Sequence, residues 1–326
     1  MTSKIALLQV NPIVGDISGN AEMICGLASI AADEGASFAV TTELAISGYP
    51  PRDLLIQSDF VSECHGVASS LDTEIPVLVG TPVPPVNDRS LPGNGVVRAG
   101  DSVREVTRKQ LLPTYDVFDE ARYFEADERP GIARTIAGLD IGVTICEDAW
   151  QHCGATPNDY DSDPIAQIVE WGRQGVVLDA TVNLSASPYH ADKSGIRIAV
   201  ARSAASSLNH PFLLANQVGG NDDLLFDGRS IIAWPDGTAV VAPAWTQGVL
   251  LTDLSDPKEC KWIGDGEVTI LKPDEELKED ENDLLDAIVI GLADYCRKSG
   301  ISKIVLGLSG GIDSALAACV ASAAVG

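Results

Sequence analysis

Apolar and polar positions alternate over residues 4–10, which predicts a strand, then shift to helical spacing over 20–36, with Asn20 as candidate N-cap. A short apolar run at 38–42 predicts a second, buried strand ending at Glu43, and Gly48-Tyr49-Pro50-Pro51 marks a turn. The pattern next predicts a helix at 58–71, a strand at 75–83 and a hairpin with arms at 95–98 and 103–108 around Ala99-Gly100-Asp101. A strand pair at 136–145 follows, turning through Gly138-Leu139-Asp140. After it come a helix at 163–175, a strand at 176–184, a helix at 195–208, a strand at 212–217 and a hairpin at 230–241 around Pro235-Asp236-Gly237. Hairpins and crossovers thus mix over 4–254, as in sheets sandwiched between helices rather than in one doubly wound sheet.

Beyond this the pattern fails. Residues 255–281 are rich in Asp, Glu, Lys and Pro and read as an acidic linker, partly ordered at best. An amphipathic helix at 282–298, a strand at 304–308 and an Ala-rich helix at 315–325 then close the sequence. So few elements cannot bury a core of their own. They read as the opening of a second domain that has been cut off, the alternative being an accessory layer on the first.

Composition narrows the class. Hydrophobic residues make up 45% and aromatic residues 5% of the 326, so the core is built mainly from Ala, Val, Ile and Leu. A net charge of −25 would repel nucleic acid and anionic membrane alike. No apolar run reaches the length of a membrane span, and the first twenty residues lack a signal-peptide pattern. Seven scattered cysteines form no disulfide framework, which points to a reducing cytoplasm. Between residues 3 and 257 the only lysines are Lys4, Lys109 and Lys193, although arginine is used freely. An internal lysine in such a chain is wanted for its compact, titratable ammonium.

The strongest chemical signal is Ile141-Gly142-Val143-Thr144-Ile145-Cys146-Glu147-Asp148-Ala149-Trp150, a buried strand that ends at a thiol and two carboxylates. Glu147 and Asp148 would keep Cys146 protonated, so the fold must bring it a cation from elsewhere. Lys109, directly after a predicted strand, can supply that cation and hold a developing oxyanion. Glu43, at another strand end among apolar neighbours, is a candidate general base. Taken singly, Lys109 has a bland reading as a solvated loop lysine and Glu43 as an arginine-paired strand-end glutamate. Together they make a nucleophile, a base and an oxyanion holder converging at one sheet edge.

These three resemble the Glu-Lys-Cys triad of the nitrilase superfamily. More narrowly, Lys-x-x-Leu-Pro-x-Tyr-x-Val-Phe-Asp-Glu-x-Arg-Tyr-Phe (109–124), Ile-Cys-Glu-Asp-x-Trp (145–150), Ala-Ser-Pro-Tyr (186–189) and Phe-Asp-Gly-x-Ser (226–230) resemble the glutaminase domain of glutamine-dependent NAD⁺ synthetases. The resemblance implies a four-layer α-β-β-α sandwich (the nitrilase, or CN-hydrolase, fold) over 1–254. It also implies glutamine-binding roles for Tyr115, Ser187 and Lys193 and supporting roles for Glu120, which orients the lysine, and Glu147. Thr114 departs from the Asn usual before the tyrosine. Independently, Ser309-Gly310-Gly311-Ile312-Asp313-Ser314 follows a strand and opens a helix, a geometry that favours a phosphate. It resembles the pyrophosphate loop of ATP-pyrophosphatases, so 282–326 would be the start of a truncated α/β synthetase domain of the adenine nucleotide alpha hydrolase type.

The expected activity is hydrolysis of L-glutamine through a cysteine thioester, with no cofactor and no metal in this chain. In a full-length synthetase the ammonia would serve ATP- and Mg²⁺-dependent amidation of deamido-NAD⁺. The chain as it stands is expected to hydrolyse glutamine at most, and to form homo-oligomers through the first domain. The rivals are a free-standing amidase and a non-catalytic assembly module.

Overall fold

The computed structural model describes every residue except 1–3, 88–89, 101–103, 129, 158 and 275–280, so Asp101 of the predicted hairpin turn and residues 275–280 of the predicted linker lie outside the described residues. In chain order the strands and helices begin with β1 (Lys4–Gln9), α1 (Ile17–Asp33), β2 (Phe38–Val40), α2 (Ser58–Ser69), β3 (Val77–Val83), β4 (Gly93–Ala99) and β5 (Arg104–Arg108). Next come β6 (Gly131–Ile136), β7 (Leu139–Ile145), α3 (Pro164–Arg173), β8 (Ala180–Ser185), α4 (Lys193–Leu208) and β9 (Phe212–Asn216). The remaining strands are β10 (Val218–Asn221), β11 (Leu224–Asp227), β12 (Ile231–Ala233), β13 (Ala239–Val241), β14 (Gly248–Asp253), β15 (Asp256–Gly264) and β16 (Glu267–Leu271). Two helices, α5 (Glu281–Lys298) and α6 (Ile312–Val325), complete the order.

An eight-stranded sheet in the order β16-β15-β14-β1-β2-β3-β4-β5 faces a six-stranded sheet in the order β13-β12-β9-β8-β7-β6. The two-residue period of the strands decides which layer each side chain joins. Ile5 and Leu7 of β1 point into the space between the sheets, where they meet Val143, Ile145, Val182 and Leu213. Ala6 and Leu8, one residue out of step, pack instead with Ile24 and Leu27 of α1 and Cys64 and Ala68 of α2. On the far side, Phe212 and Leu214 pack with Val200, Ala201 and Ala204 of α4. The result is the α-β-β-α sandwich the sequence led us to expect.

Several boundaries differ from the sequence reading. The first helix starts earlier, at Ile17, and its N-cap is Asp16, whose carboxylate accepts the Gly19 N–H at 3.0 Å. Asn20 lies inside the helix, where its buried amide joins the Ile13 N–H and carbonyl and the Ile46 carbonyl. The supposed linker is not one over 256–271. β15 pairs antiparallel with β14 and with β16, extending the large sheet to its edge. The Asp, Lys and Glu that give this stretch the look of a linker lie on β15, whereas β16 is an exposed edge strand with one charged residue, Glu267. The strand predicted at 304–308 is absent. Val305 and Leu308 are exposed, and no described strand lies alongside to take their backbone bonds. The β10–β11 hairpin, hidden by Gly219, Gly220 and the acidic turn Asp222-Asp223, was not predicted.

Candidate active site

Three strand ends deliver the polar groups. Glu43 follows β2 in a buried turn that β3 approaches closely, and the Gly80 N–H donates to the Thr41 hydroxyl at 2.9 Å. A Cβ at Gly80 would meet the Thr42 carbonyl and stand 2.7 Å from the Leu44 nitrogen, so glycine is what permits the approach. Lys109 follows β5, and its N–H donates to the Asn94 carbonyl of β4 at 2.8 Å. Cys146 follows β7 with φ of 42°, a left-handed turn into the short helix Cys146–Ala149.

The chain beside Cys146 is clasped to the chain beside Lys109 by one side chain. Asp148 accepts the Gln110 and Leu111 N–H groups at 3.1 and 2.9 Å on one oxygen and the Ile145 N–H at 3.0 Å on the other. Full burial pushes this carboxyl up to about 7 against the pull of those donors. Asp148 is thus spoken for by three backbone donors.

Behind the thiol lies a buried cluster. The Lys109 ammonium donates to Glu43 Oε1 at 2.7 Å and to both oxygens of Glu120 at 2.8 Å. Glu43 is held from two further sides, by Asn94 Nδ2 at 2.7 Å on Oε1 and by the Ala186 N–H at 3.1 Å on Oε2. Glu120 also accepts the Tyr49 hydroxyl at 2.8 Å. Burial disfavours the Lys109 ammonium, but Glu120 and then Glu43 outweigh it and hold the amine well above its ordinary range. Burial pushes Glu120 up to about 7, with Lys109 opposing and the Glu43 charge adding to it. Burial also raises the Cys146 thiol strongly, followed by Glu43; Lys109 pulls the other way, and Glu147 adds a smaller upward push. At neutral pH the thiol therefore keeps its proton beside the Lys109 ammonium, and it must lose that proton as it attacks.

Of the three, Cys146 lines a cleft of about 400 Å³, which Tyr115, Glu147, Trp150, Ser187 and Lys193 also line. Glu147 Oε1 accepts the hydroxyls of Tyr115 at 2.6 Å and Tyr160 at 3.2 Å. Ser187 is held by its N–H, which donates to Asn216 at 2.9 Å, while its buried hydroxyl has no partner among the described residues. Lys193 starts α4 with its ammonium 5.5 Å over the Trp150 ring. Burial, then the neighbouring Arg197, lowers its pKa. The residues singled out from sequence thus meet in two groups, the buried cluster and the cleft. Asn94, Tyr49 and Tyr160 were missed; each is an isolated polar residue whose partners are distant in sequence.

The loop Ser309 to Ser314 stands apart at the start of α6. Gly310 has φ of 83°, and the Ser314 hydroxyl bonds the Gly311 carbonyl at 2.9 Å and the Ser309 hydroxyl at 3.1 Å. Gly310, Gly311, Ile312 and Asp313 are exposed there. Among the described residues no cluster of three His, Cys, Asp or Glu side chains is arranged to hold a metal ion, and no helix is long and apolar enough to cross a membrane.

Comparison with known proteins gives the family and the fold. Residues 4–259 match the carbon-nitrogen hydrolase family, and residues 284–326 match the NAD synthase family. A glutamine-dependent NAD(+) synthetase of Synechocystis sp. is 38% identical over 99% of this chain and 57% of its own length. That of Aquifex aeolicus is 33% identical over 99% of this chain and 59% of its own. Among solved structures, the glutamine-dependent NAD⁺ synthetase of Acinetobacter baumannii in complex with ADP superposes with a TM-score of 0.83 and 27% identity, covering 100% of this chain and 58% of that one. An amidase from Nesterenkonia sp. shares the fold, with a TM-score of 0.63 and 21% identity over 78% of this chain and 90% of its own. The chain spans a little over half the length of the synthetases it matches.

Proposed function

This chain belongs to the carbon-nitrogen hydrolase family, and from that premise we propose that it hydrolyses the side-chain amide of L-glutamine through a Cys146 thioester, as the glutaminase part of a glutamine-dependent NAD⁺ synthetase. What carries the choice of substrate is the cleft. It gathers the Lys193 ammonium, the Glu147 carboxylate and a buried, unpartnered hydroxyl (Ser187) around the thiol. An amino-acid head group needs both signs of charge, and a side chain of glutamine length then presents its carboxamide to the sulfur. A simple amide would leave the buried Ser187 hydroxyl without a partner.

In this mechanism the Cys146 sulfur attacks the amide carbon while Glu43 takes the thiol proton. The Lys109 ammonium and the backbone N–H of Glu147 hold the oxyanion. Protonated Glu43 gives its proton to the departing nitrogen, the C–N bond breaks, and ammonia leaves a thioester. A water deprotonated by Glu43 then attacks the thioester carbonyl, releasing glutamate and restoring the thiol. Tyr115, Ser187 and Lys193 bind the head group, and Glu120 and Glu147 support Lys109 and the cleft wall.

The same reading makes residues 282–326 part of a synthetase unit. Ser309, Gly310, Gly311, Ile312, Asp313 and Ser314 form a glycine turn at the start of a 14-residue helix, with hydroxyls and exposed backbone, which suits phosphate. There they would hold the phosphates of ATP with Mg²⁺, and ATP supplies the activation that lets ammonia displace oxygen on deamido-NAD⁺. All seven cysteines are free, in keeping with the reducing cytoplasm to which we assign the protein, and self-association belongs to the same proposal. The test is ammonia release from glutamine, asparagine and propionamide by the parent and by Cys146→Ala. Turnover of glutamine that vanishes in the variant, with an unchanged melting curve, is expected. Equal turnover of propionamide, or activity that survives the substitution, would refute the proposal.

A further inference from the structure

Two of the three reactive residues are held by one asparagine, one through its side chain and one through its backbone. Asn94, on β4, is fully buried; its carbonyl accepts the Lys109 N–H at 2.8 Å, and its side-chain Nδ2 donates to Glu43 Oε1 at 2.7 Å. Its Oδ1 has no partner among the described residues. The opposite amide rotamer would set Oδ1 against Glu43 Oε1, two acceptors with no proton between them, so the chemistry settles which end faces the carboxylate. β4 has no room to drift. A Cβ at Gly95 would stand 2.8 and 2.9 Å from the Val83 methyls, and one at Gly93 would stand 2.7 Å from Arg108 Cδ and 2.9 Å from a Val83 methyl.

The donors on Glu43 are distributed unevenly. Oε1 takes two, Asn94 Nδ2 and Lys109 Nζ, which fill both of its lone-pair directions. Oε2 takes only the Ala186 N–H, at 3.1 Å, and keeps a lone pair free. The ionisable groups that bear on this carboxyl are the Lys109 ammonium, the Glu120 carboxyl, the Tyr49 phenol and the Cys146 thiol. The one cation among them is shared with Glu120, so a neutral donor has a role the charges do not fill.

We infer that Asn94 is a positioning residue that holds Glu43 ionised and reserves its Oε2 as the atom that exchanges the proton. The kinetic part of this rests on the thiol–carboxylate hydrolysis proposed above; the charge state does not. Removing Nδ2 withdraws a hydrogen bond made to the charged form, so Glu43 must take up its proton at higher pH than in the parent. Asn94→Leu removes the donor at similar volume; Asn94→Ala removes it and leaves space that a water fills in part, so its shift is smaller.

The direct test is infrared difference titration of the full chain, with Glu43→Gln used to identify the Glu43 carboxyl band. In Asn94→Leu the protonated band should appear about one pH unit higher than in the parent. The acid limb of kcat/KM for glutamine should move with it, giving about a tenfold loss on that limb while KM changes little. Should Asn94→Leu fail to fold, Asn94→Ala decides by the same band. A band that titrates where it does in the parent overturns the inference, whatever the activity. A parent chain that releases no ammonia would instead sink the glutaminase reading, and the infrared result would still judge Asn94.

Discussion

Glu120→Gln asks whether the buried cluster behind Cys146 is set near its titration point. Glu120 is almost wholly buried, shares the Lys109 ammonium with Glu43 and accepts the Tyr49 hydroxyl. Burial and the like charge of Glu43 lift its carboxyl from 4.5 to about 7 despite the opposing ammonium. Below about pH 4.5 the group is protonated in the folded and the unfolded chain alike, and its contribution to stability is complete. As pH rises, the unfolded chain gives up this proton first, so the contribution is lost progressively until pH passes about 7. That gap, at about 1.4 kcal/mol per pH unit, comes to about 3 kcal/mol. Glutamine has the same shape and no proton to lose, so the stability of Glu120→Gln minus that of the parent should climb by about 3 kcal/mol between pH 4.5 and 7.5. Asp148, also pushed up to about 7, contributes the same slope to both proteins and cancels. Urea denaturation followed by tryptophan fluorescence at four pH values measures this directly, since the change exceeds the extrapolation error. A difference that stays flat with pH would show that Lys109 keeps Glu120 ionised throughout, and the reasoning would fail. Turnover at neutral pH should meanwhile fall at least tenfold, because Lys109 loses its second charged anchor.

Lys193→Ala should raise KM for glutamine about 10- to 100-fold with a smaller effect on kcat, as expected for a charge-assisted contact to the head group made equally before and during reaction. Steady-state kinetics showing a fall in kcat at unchanged KM would move Lys193 out of substrate binding. Arg197→Met should lower stability by about 1–3 kcal/mol, because the fully buried Asp227, 3.0 Å from Arg197, would keep Arg229 at 3.3 Å as its remaining partner. The urea midpoint should drop at constant slope, and adding Asp227→Asn should restore much of the loss.

What could be read from sequence were the features carried by short-range pattern. The alternation in β1, the run ending at Cys146 and the apolar spacing of α2 mark single elements; the mix of hairpins and crossovers suggests a sandwich, and its four layers come from the family resemblance. Glu43, Lys109 and Cys146 stood out because each follows a strand and because lysine is scarce in this chain. What stayed hidden depends on neighbours distant along the chain. Asn94 is 51 residues from Glu43, and Tyr49 is 71 from Glu120, so nothing local marks either as part of the cluster. β15 and β16 read as linker because the Asp, Lys, Glu and Pro of β15 masked the short β-branched run Val268-Thr269-Ile270. At 304–308 the error ran the other way: an apolar run proposes a strand, but only a neighbouring strand can make it one.

The boundary near residue 282 separates two family resemblances, yet it does not separate two bodies of interaction. Asp283, at the start of α5, accepts Arg229 at 2.7 Å; Arg229 reaches Asp227, which in turn pairs with Arg197 on α4, one turn beyond Lys193. At the other end of α5, the Lys298 ammonium donates to the Pro12 and Gly220 carbonyls and to the side chains of Asn11 and Asn221 at 2.7–3.0 Å. Asn221 then donates to the Tyr49 carbonyl, and the hydroxyl of that same tyrosine holds Glu120. Both ends of the helix therefore lean on elements that carry the cleft lysine and the buried cluster. A buried arginine or carbonyl that loses such a partner is left desolvated and unsatisfied, which costs far more than a surface contact is worth. By that measure α5 belongs with the sandwich, and the first elements of the second resemblance are part of what keeps the hydrolase site in shape.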